Sequence, residues 1–158
     1  MLKICRSFSE LDFDKLAVVY GLDSLDAYQQ RMDFYDYLRE DFFQVKGAVY
    51  AVWYEDERYV SVLRAEPYKD GYLIEGVQTL AACRCMGYGK KLLRTVLDSG
   101  VFPPLLPVYS HVHKKNAASL ALHLGCGFER VLEYGVFIDG SVFHHSCTLK
   151  WKKTDPTL

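Results

Sequence analysis

Arg84-Cys85-Met86-Gly87-Tyr88-Gly89-Lys90 is the stretch of this sequence best suited to chemistry. An apolar run, Tyr72 to Leu80, precedes it, and Leu92, Leu93, Val96 and Leu97 follow at the spacing of one helix face. The pattern is strand, glycine turn, helix. The first amides of a helix have no internal partner, and the helix dipole makes that end positive. Glycine lets backbone approach an anion closely, so the amides from Arg84 to Lys90 form an expected phosphate site, with Lys90 and Lys91 adding charge at its mouth. A Walker loop would need Gly where Arg84 stands and Ser or Thr where Lys91 stands. A dinucleotide fingerprint would need Gly in place of Leu92. Neither fits, and R-x-x-G-x-G remains.

A second stretch extends the pattern. Val108-Tyr109-Ser110-His111-Val112 reads as a strand; Asn116, a short helix through His123, and Gly127-Phe128 follow. The two stretches together resemble the GNAT superfamily, the acyl-CoA-dependent N-acetyltransferases. The resemblance implies that Arg84, Cys85, Met86, Gly87, Tyr88, Gly89 and Lys90 hold the pyrophosphate of acetyl-CoA. It also implies that the pantetheine arm pairs like an added strand with backbone at Val77, Gln78 and Thr79, a contact nearly blind to side chains. An amide of that stretch would stabilise the developing oxyanion. Asn116 matches an Asn beside the pantetheine, with Ser119 on the same helix; capping that helix is an equal role for Asn116 and is compatible with the first. One position departs from the family. The proton donor on this helix is usually Tyr, and here it is His123, which reads either as the acid or as a packing histidine. If it is the acid, His123→Phe lowers the rate about ten-fold.

Acetyl transfer to an amine also needs a base. Glu75 is the leading candidate, since strand alternation sets it on one face with Leu73, Val77 and Thr79 in an apolar run where burial raises basicity. A solvent-facing glutamate is the bland alternative, and His111 or His113 on the neighbouring strand are other bases. The implied activity is direct transfer of an acetyl group from acetyl-CoA to a primary amine of a small molecule or peptide. A non-catalytic acyl-CoA-binding module is the alternative.

The elements that must position these residues follow in order. Leu2 to Cys5 is a short strand, and Ser7 with Glu10 is a capping-box pattern opening a helix to about Tyr20. A second helix begins near Asp23 or Ser24, with Leu25, Tyr28, Met32, Tyr35, Leu38 and Phe42 as its expected core stripe. By the resemblance this helix pair flanks the acceptor channel, with Phe34, Tyr35 and Tyr37 as candidate linings. Ala48 to Tyr54 and Arg58 to Arg64 form an expected hairpin around Glu55-Asp56-Glu57. Asp70-Gly71 is a turn, and Ser99-Gly100 ends the helix after the glycine loop. Glu129 to Ile138 and Val142 to Trp151 read as two antiparallel strands around Asp139-Gly140. The order β-α-α-β-β-β-α-β-α-β-β predicts an α+β fold, a GNAT-like mixed central sheet flanked by helices.

The chain has 158 residues, so a single domain over 1–151 with a polar tail at 152–158 is expected. Its net charge of −1 suggests no nucleic-acid footprint. No apolar run reaches the roughly 18 residues of a membrane span, and the N-terminus does not read as a signal peptide. An odd count of five cysteines without CxxC points to a reducing cytoplasm. Cys83-x-Cys85 and His111-x-His113 do not have zinc spacing, so no metal is expected. The partners expected are the amine acceptor and, at most, a second copy of the chain.

Overall fold

A computed structural model describes residues 1–153. Its central sheet has seven strands: β1 (Leu2–Cys5), β2 (Val49–Glu55), β3 (Arg58–Tyr68), β4 (Gly71–Thr79), β5 (Val108–His113), β6 (Phe128–Leu132) and, last in sequence, β9 (Ser146–Trp151). They lie in the order β1-β2-β3-β4-β5-β9-β6, and only β4 and β5 are parallel. β7 (Gly135–Val136) and β8 (Val142–Phe143) form a separate two-stranded ribbon. Helices α1 (Phe13–Val19) and α2 (Tyr28–Glu40) cover one face, and α3 (Tyr88–Asp98) and α4 (Ala117–Gly125) the other. Alternation along β2 builds both cores: Tyr50 and Val52 pack toward α1 and α2, whereas Val49, Ala51 and Trp53 pack toward α3.

The expected α+β architecture holds, and local details differ. The expected Ser7/Glu10 capping box does not form: the serine hydroxyl donates to the Glu10 carboxylate at 3.0 Å, Ser7 makes no cap bond, and the segment is only a 3₁₀ turn. The helix proper starts one turn later, where the Asp12 carboxylate accepts from the Lys15 amide at 3.2 Å. In the expected stripe of α2, Leu38 and Phe42 are buried, but Leu25 is 94% and Tyr28 61% exposed because the helix begins only at Tyr28. The Asp56-Glu57 turn carries positive φ at both residues (51° and 60°), the primed turn a twisted hairpin requires. The two expected C-terminal strands are each broken in two. β6 and β9 pair within the main sheet, and β7 and β8 leave it to form the ribbon. Residues 154–158 of the expected tail lie outside the described residues.

Candidate active site

The sheet forks at its centre. β4 and β5 pair only at Tyr72–Val108, Leu73–Tyr109 and Ile74–Ser110. Beyond Ile74 the strands diverge, so the β5-side edge of Glu75 to Thr79 has no strand partner. A cleft opens there, lined by Glu75, Val77, Ser110, His111, Asn116 and Ser119 among others.

A bulge at Gly76 sets the facing of the residues along that edge. Opposite β3 the register jumps from Arg64–Glu75 to Val62–Gln78. Gly76 has φ of +60°, and a Cβ there would collide with Arg64 Nη1 and lie 3.1 Å from the Tyr20 hydroxyl. The Tyr20 hydroxyl donates to the Gly76 carbonyl at 2.7 Å, pinning the bulge. One inserted residue reverses the alternation. Leu73 and Glu75 therefore face the α1–α2 side, while Val77 packs in the α3 core and Thr79 meets Ser61 at 3.0 Å on that side. The single face expected for Leu73, Glu75, Val77 and Thr79 does not exist.

At one end of the cleft lies the glycine loop. Gly87 is the N-cap of α3 with φ of +84°, and a Cβ there would meet nothing within 4 Å. Among the described residues, no acceptor receives the backbone N–H groups from Cys85 to Lys90. They remain available to an anion. Gly89 serves packing: a Cβ there would lie 3.1 Å from Leu122 and 3.5 Å from Thr79. The side chains are turned elsewhere. Arg84 Nε donates to the Thr79 carbonyl at 3.2 Å, the Tyr88 hydroxyl donates to Glu55 at 2.9 Å, and Cys85 and Met86 are exposed. Lys91 sits 4.6 Å over the Trp53 ring, and the Lys90 ammonium lies against Gly125. Of the two lysines expected at the mouth, Lys91 is thus engaged with Trp53, and Lys90 is exposed.

On the α4 side of the cleft, Asn116 caps the helix, its carbonyl oxygen accepting from the Ser119 amide at 3.0 Å. His123 is 1% exposed. Its Nδ1 lies 2.7 Å from the Ser119 carbonyl and its Nε2 2.9 Å from the Ser110 hydroxyl. Burial lowers its pKa, with the Ser119 bond opposing, so the ring is neutral at pH 7. A carbonyl can only accept. Nδ1 therefore carries the proton, and Nε2 accepts from Ser110. Ser110 is a partner the sequence reading did not single out.

At the other end of the cleft, Glu75 lies 3.3 Å from Arg64 Nε, an ion pair by distance in which the N–H is not aimed at the carboxylate and makes no hydrogen bond. Burial works against the Arg64 charge, but its pKa is raised on balance, and the anion beside it is the Glu75 carboxylate. Beyond Glu75 opens a cavity of about 500 Å³. Glu66, Tyr68, Leu73 and His111 form its floor, and Val136 to Asp139 of the ribbon its wall. Phe34 and Tyr37 pack in the α1–α2 core, and Tyr35 stacks edge-on against Phe8 and Phe13, so none of the three lines this cavity. Its lining comes from segments far apart in sequence, and no local pattern announced it.

His111 borders both the cleft and the cavity. Burial, helped by the Lys69 charge, lowers its pKa to about 4. An unfolded His111 takes up a proton near pH 6.5, and the folded one resists until about pH 4. Acidification through that window therefore favours the unfolded chain. Stability is expected to be full above pH 6.5 and to fall toward pH 4, with His111 contributing about 1–2 kcal/mol after solvent screening. Urea melts of wild type and His111→Phe check this; equal slopes against pH would remove His111 from the account. His113 is exposed, and its Nδ1 accepts from the Lys115 amide at 3.1 Å.

The sequence matches the family profile "Acetyltransferase (GNAT) family" over residues 14–128, well over half of the chain. The chain belongs to the GNAT acetyltransferase family. Solved structures of this fold cover almost all of it. Escherichia coli ElaA is 16% identical with a TM-score of 0.66, covering 96% of this chain and 99% of that one. The ribosomal-protein-S18-alanine N-acetyltransferase of E. coli is 16% identical (TM-score 0.63; 100% and 99% covered). The PaiA N-acetyltransferase of Thermoplasma acidophilum, solved in complex with coenzyme A, is 12% identical (TM-score 0.59; 97% and 99% covered). No functionally curated protein matches the sequence. In this GNAT chain, no helix among the described residues is long and apolar enough to cross a membrane.

Proposed function

We propose that this GNAT chain transfers the acetyl group of acetyl-CoA directly to a primary amine of a small molecule or peptide, in the cytoplasm. The open edge of β4 carries the reading: it runs between a loop of unbonded amides and a carboxylate-bearing cavity. The residues present fit the cofactor. Gly87 leaves the space before the Cys85 to Lys90 amides clear for pyrophosphate, and the backbone of Val77, Gln78 and Thr79 offers an edge for the pantetheine arm. Asn116 and Ser119 flank that arm from α4. Bound there, acetyl-CoA supplies an acetyl group activated as a thioester.

Each remaining task falls to a group of the chain. An amide of the β4 edge donates to the carbonyl oxygen as charge builds on it. Glu75, at the junction of cleft and cavity, takes the amine proton, through water. His111, which borders the same space and is held neutral by burial, is the alternative base. His123 has no spare proton, because its one N–H is bound to the Ser119 carbonyl. Its role is to hold Ser119 and Ser110 at the cleft, and the departing thiolate, a fair leaving group at a pKa near 8.5 by analogy with Cys, takes its proton from solvent. His123→Phe should thus act mainly on stability. Losing the buried bonds costs about 1–3 kcal/mol, a fall of roughly 3–10 °C in Tm. The rate per folded molecule should change less than about three-fold, against the ten-fold drop expected of an acid. A rate about ten-fold lower in a protein of unchanged Tm would restore the acid role.

The test of the whole reading is thioester consumption with a panel of amines, beside calorimetric coenzyme A binding. Coenzyme A binding without acetylation of any amine would favour the alternative, a non-catalytic acyl-CoA-binding module. The buried, fully engaged His123 is the observation on that side.

A further inference from the structure

The cavity at the end of the cleft has a composition that selects its acceptor. Leu73 supplies the floor, and the ribbon adds Val136, Phe137 and Ile138. Phe137 is 52% and Ile138 67% exposed, large apolar groups left in water beside the opening. Phe137 is the aromatic ring of this wall, backed by Phe143 at a centroid distance of 4.4 Å, and the Tyr68 and His111 rings face the cavity from its floor. Such a wall suits a flat apolar body.

The charged groups are fewer in effect than in number. Glu66, Glu75 and Asp139 line the cavity, and among the described residues no Lys or Arg does. Glu75 already faces Arg64. Glu66 has no ion-pair partner among the described residues, and burial, then the nearby Glu75, raises its pKa, so an ammonium would relieve it. Asp139 accepts from the Ser141 hydroxyl and amide at the rim, in water. One ammonium is welcome here. A carboxylate or phosphate on the acceptor would be brought against like charge, with Arg64 already facing Glu75 and Lys69 stacked over the Tyr68 ring rather than lining the cavity. A second ammonium would have to compete with Ser141 for Asp139 at the rim.

Resting on the acetyltransferase reading, we propose that the acceptor is an apolar primary monoamine with a ring-sized body and no carboxylate, of the arylalkylamine class. Its ring lies against Phe137 and Ile138 and its amine beside Glu75. The probes are 2-phenylethylamine, phenylalanine and spermidine, each with acetyl-CoA and the full chain. For 2-phenylethylamine, kcat/KM should exceed that for phenylalanine by roughly 100-fold, the scale of a like-charge clash, and that for spermidine by at least about ten-fold. The double variant Phe137→Ser with Ile138→Ser should raise KM for 2-phenylethylamine about ten-fold with the coenzyme A Kd unchanged. Preference for spermidine or phenylalanine overturns the acceptor class and leaves the transferase reading standing, as does an unchanged KM in the double variant. Acetylation of no amine by a protein that binds coenzyme A overturns both.

Discussion

A Gly87→Val protein is expected to fold and to bind coenzyme A at least ~100-fold more weakly than wild type, a loss of about 2.7 kcal/mol. No protein atom lies within 4 Å of the added Cβ, so the fold does not resist it. The loop does: φ of +84° is a conformation that a β-branched residue adopts only with strain. The methyl groups would also fill the space through which a pyrophosphate reaches the amides of α3. Gly100, at the other end of α3, is the control. It has φ of +81° and equally empty surroundings, so Gly100→Val carries like strain away from the amides. Calorimetry should show normal affinity in Gly100→Val and the large loss in Gly87→Val. Unchanged affinity in a folded Gly87→Val protein would move the pyrophosphate away from this loop.

Glu75→Gln is expected to lower the rate of acetyl transfer by roughly 10²-fold, the usual scale for loss of a general base, with coenzyme A affinity nearly kept. The amide preserves the shape of the side chain at the junction of cleft and cavity and removes its capacity to hold a proton. It also leaves the Arg64 guanidinium, 3.3 Å away, without its anionic partner, so a lower Tm accompanies the loss. Rate and stability must therefore be read separately. His111→Asn is the comparison, because His111 borders the same space and is neutral across the working pH range. A rate that falls in His111→Asn and not in Glu75→Gln would transfer the base to His111, and a rate unchanged in both would leave deprotonation to bulk water.

The local physics of the site was legible in the sequence. The run Tyr72 to Leu80, the glycines at 87 and 89 and the helical spacing of Leu92, Leu93, Val96 and Leu97 describe a strand, a left-handed cap and an amphipathic helix. Each is fixed by residues within a turn or two of one another. Asn116 as a cap belongs to the same class, being a bond between neighbours in the chain. The order of elements along the chain was read from such local patterns, and the family resemblance implies the same order.

Facing, burial and assembly were decided only by the tertiary structure. Alternation along a strand holds while its ladder is unbroken. The bulge at Gly76 depends on pairing with β3 and on Tyr20 and Arg64, which come from elsewhere in the chain. An interior glycine in an apolar strand was the one local hint of it. Lys91 stands beside the loop in sequence, yet its ammonium stacks over Trp53, from a distant strand. The place of His123 on its helix was readable, but Ser110 on β5 is what spends its second nitrogen. The acceptor cavity joins Glu66, Glu75, His111 and Phe137 from β3, β4, β5 and the ribbon. Residues so far apart in sequence share no period or spacing, and only the folded sheet sets them around one space.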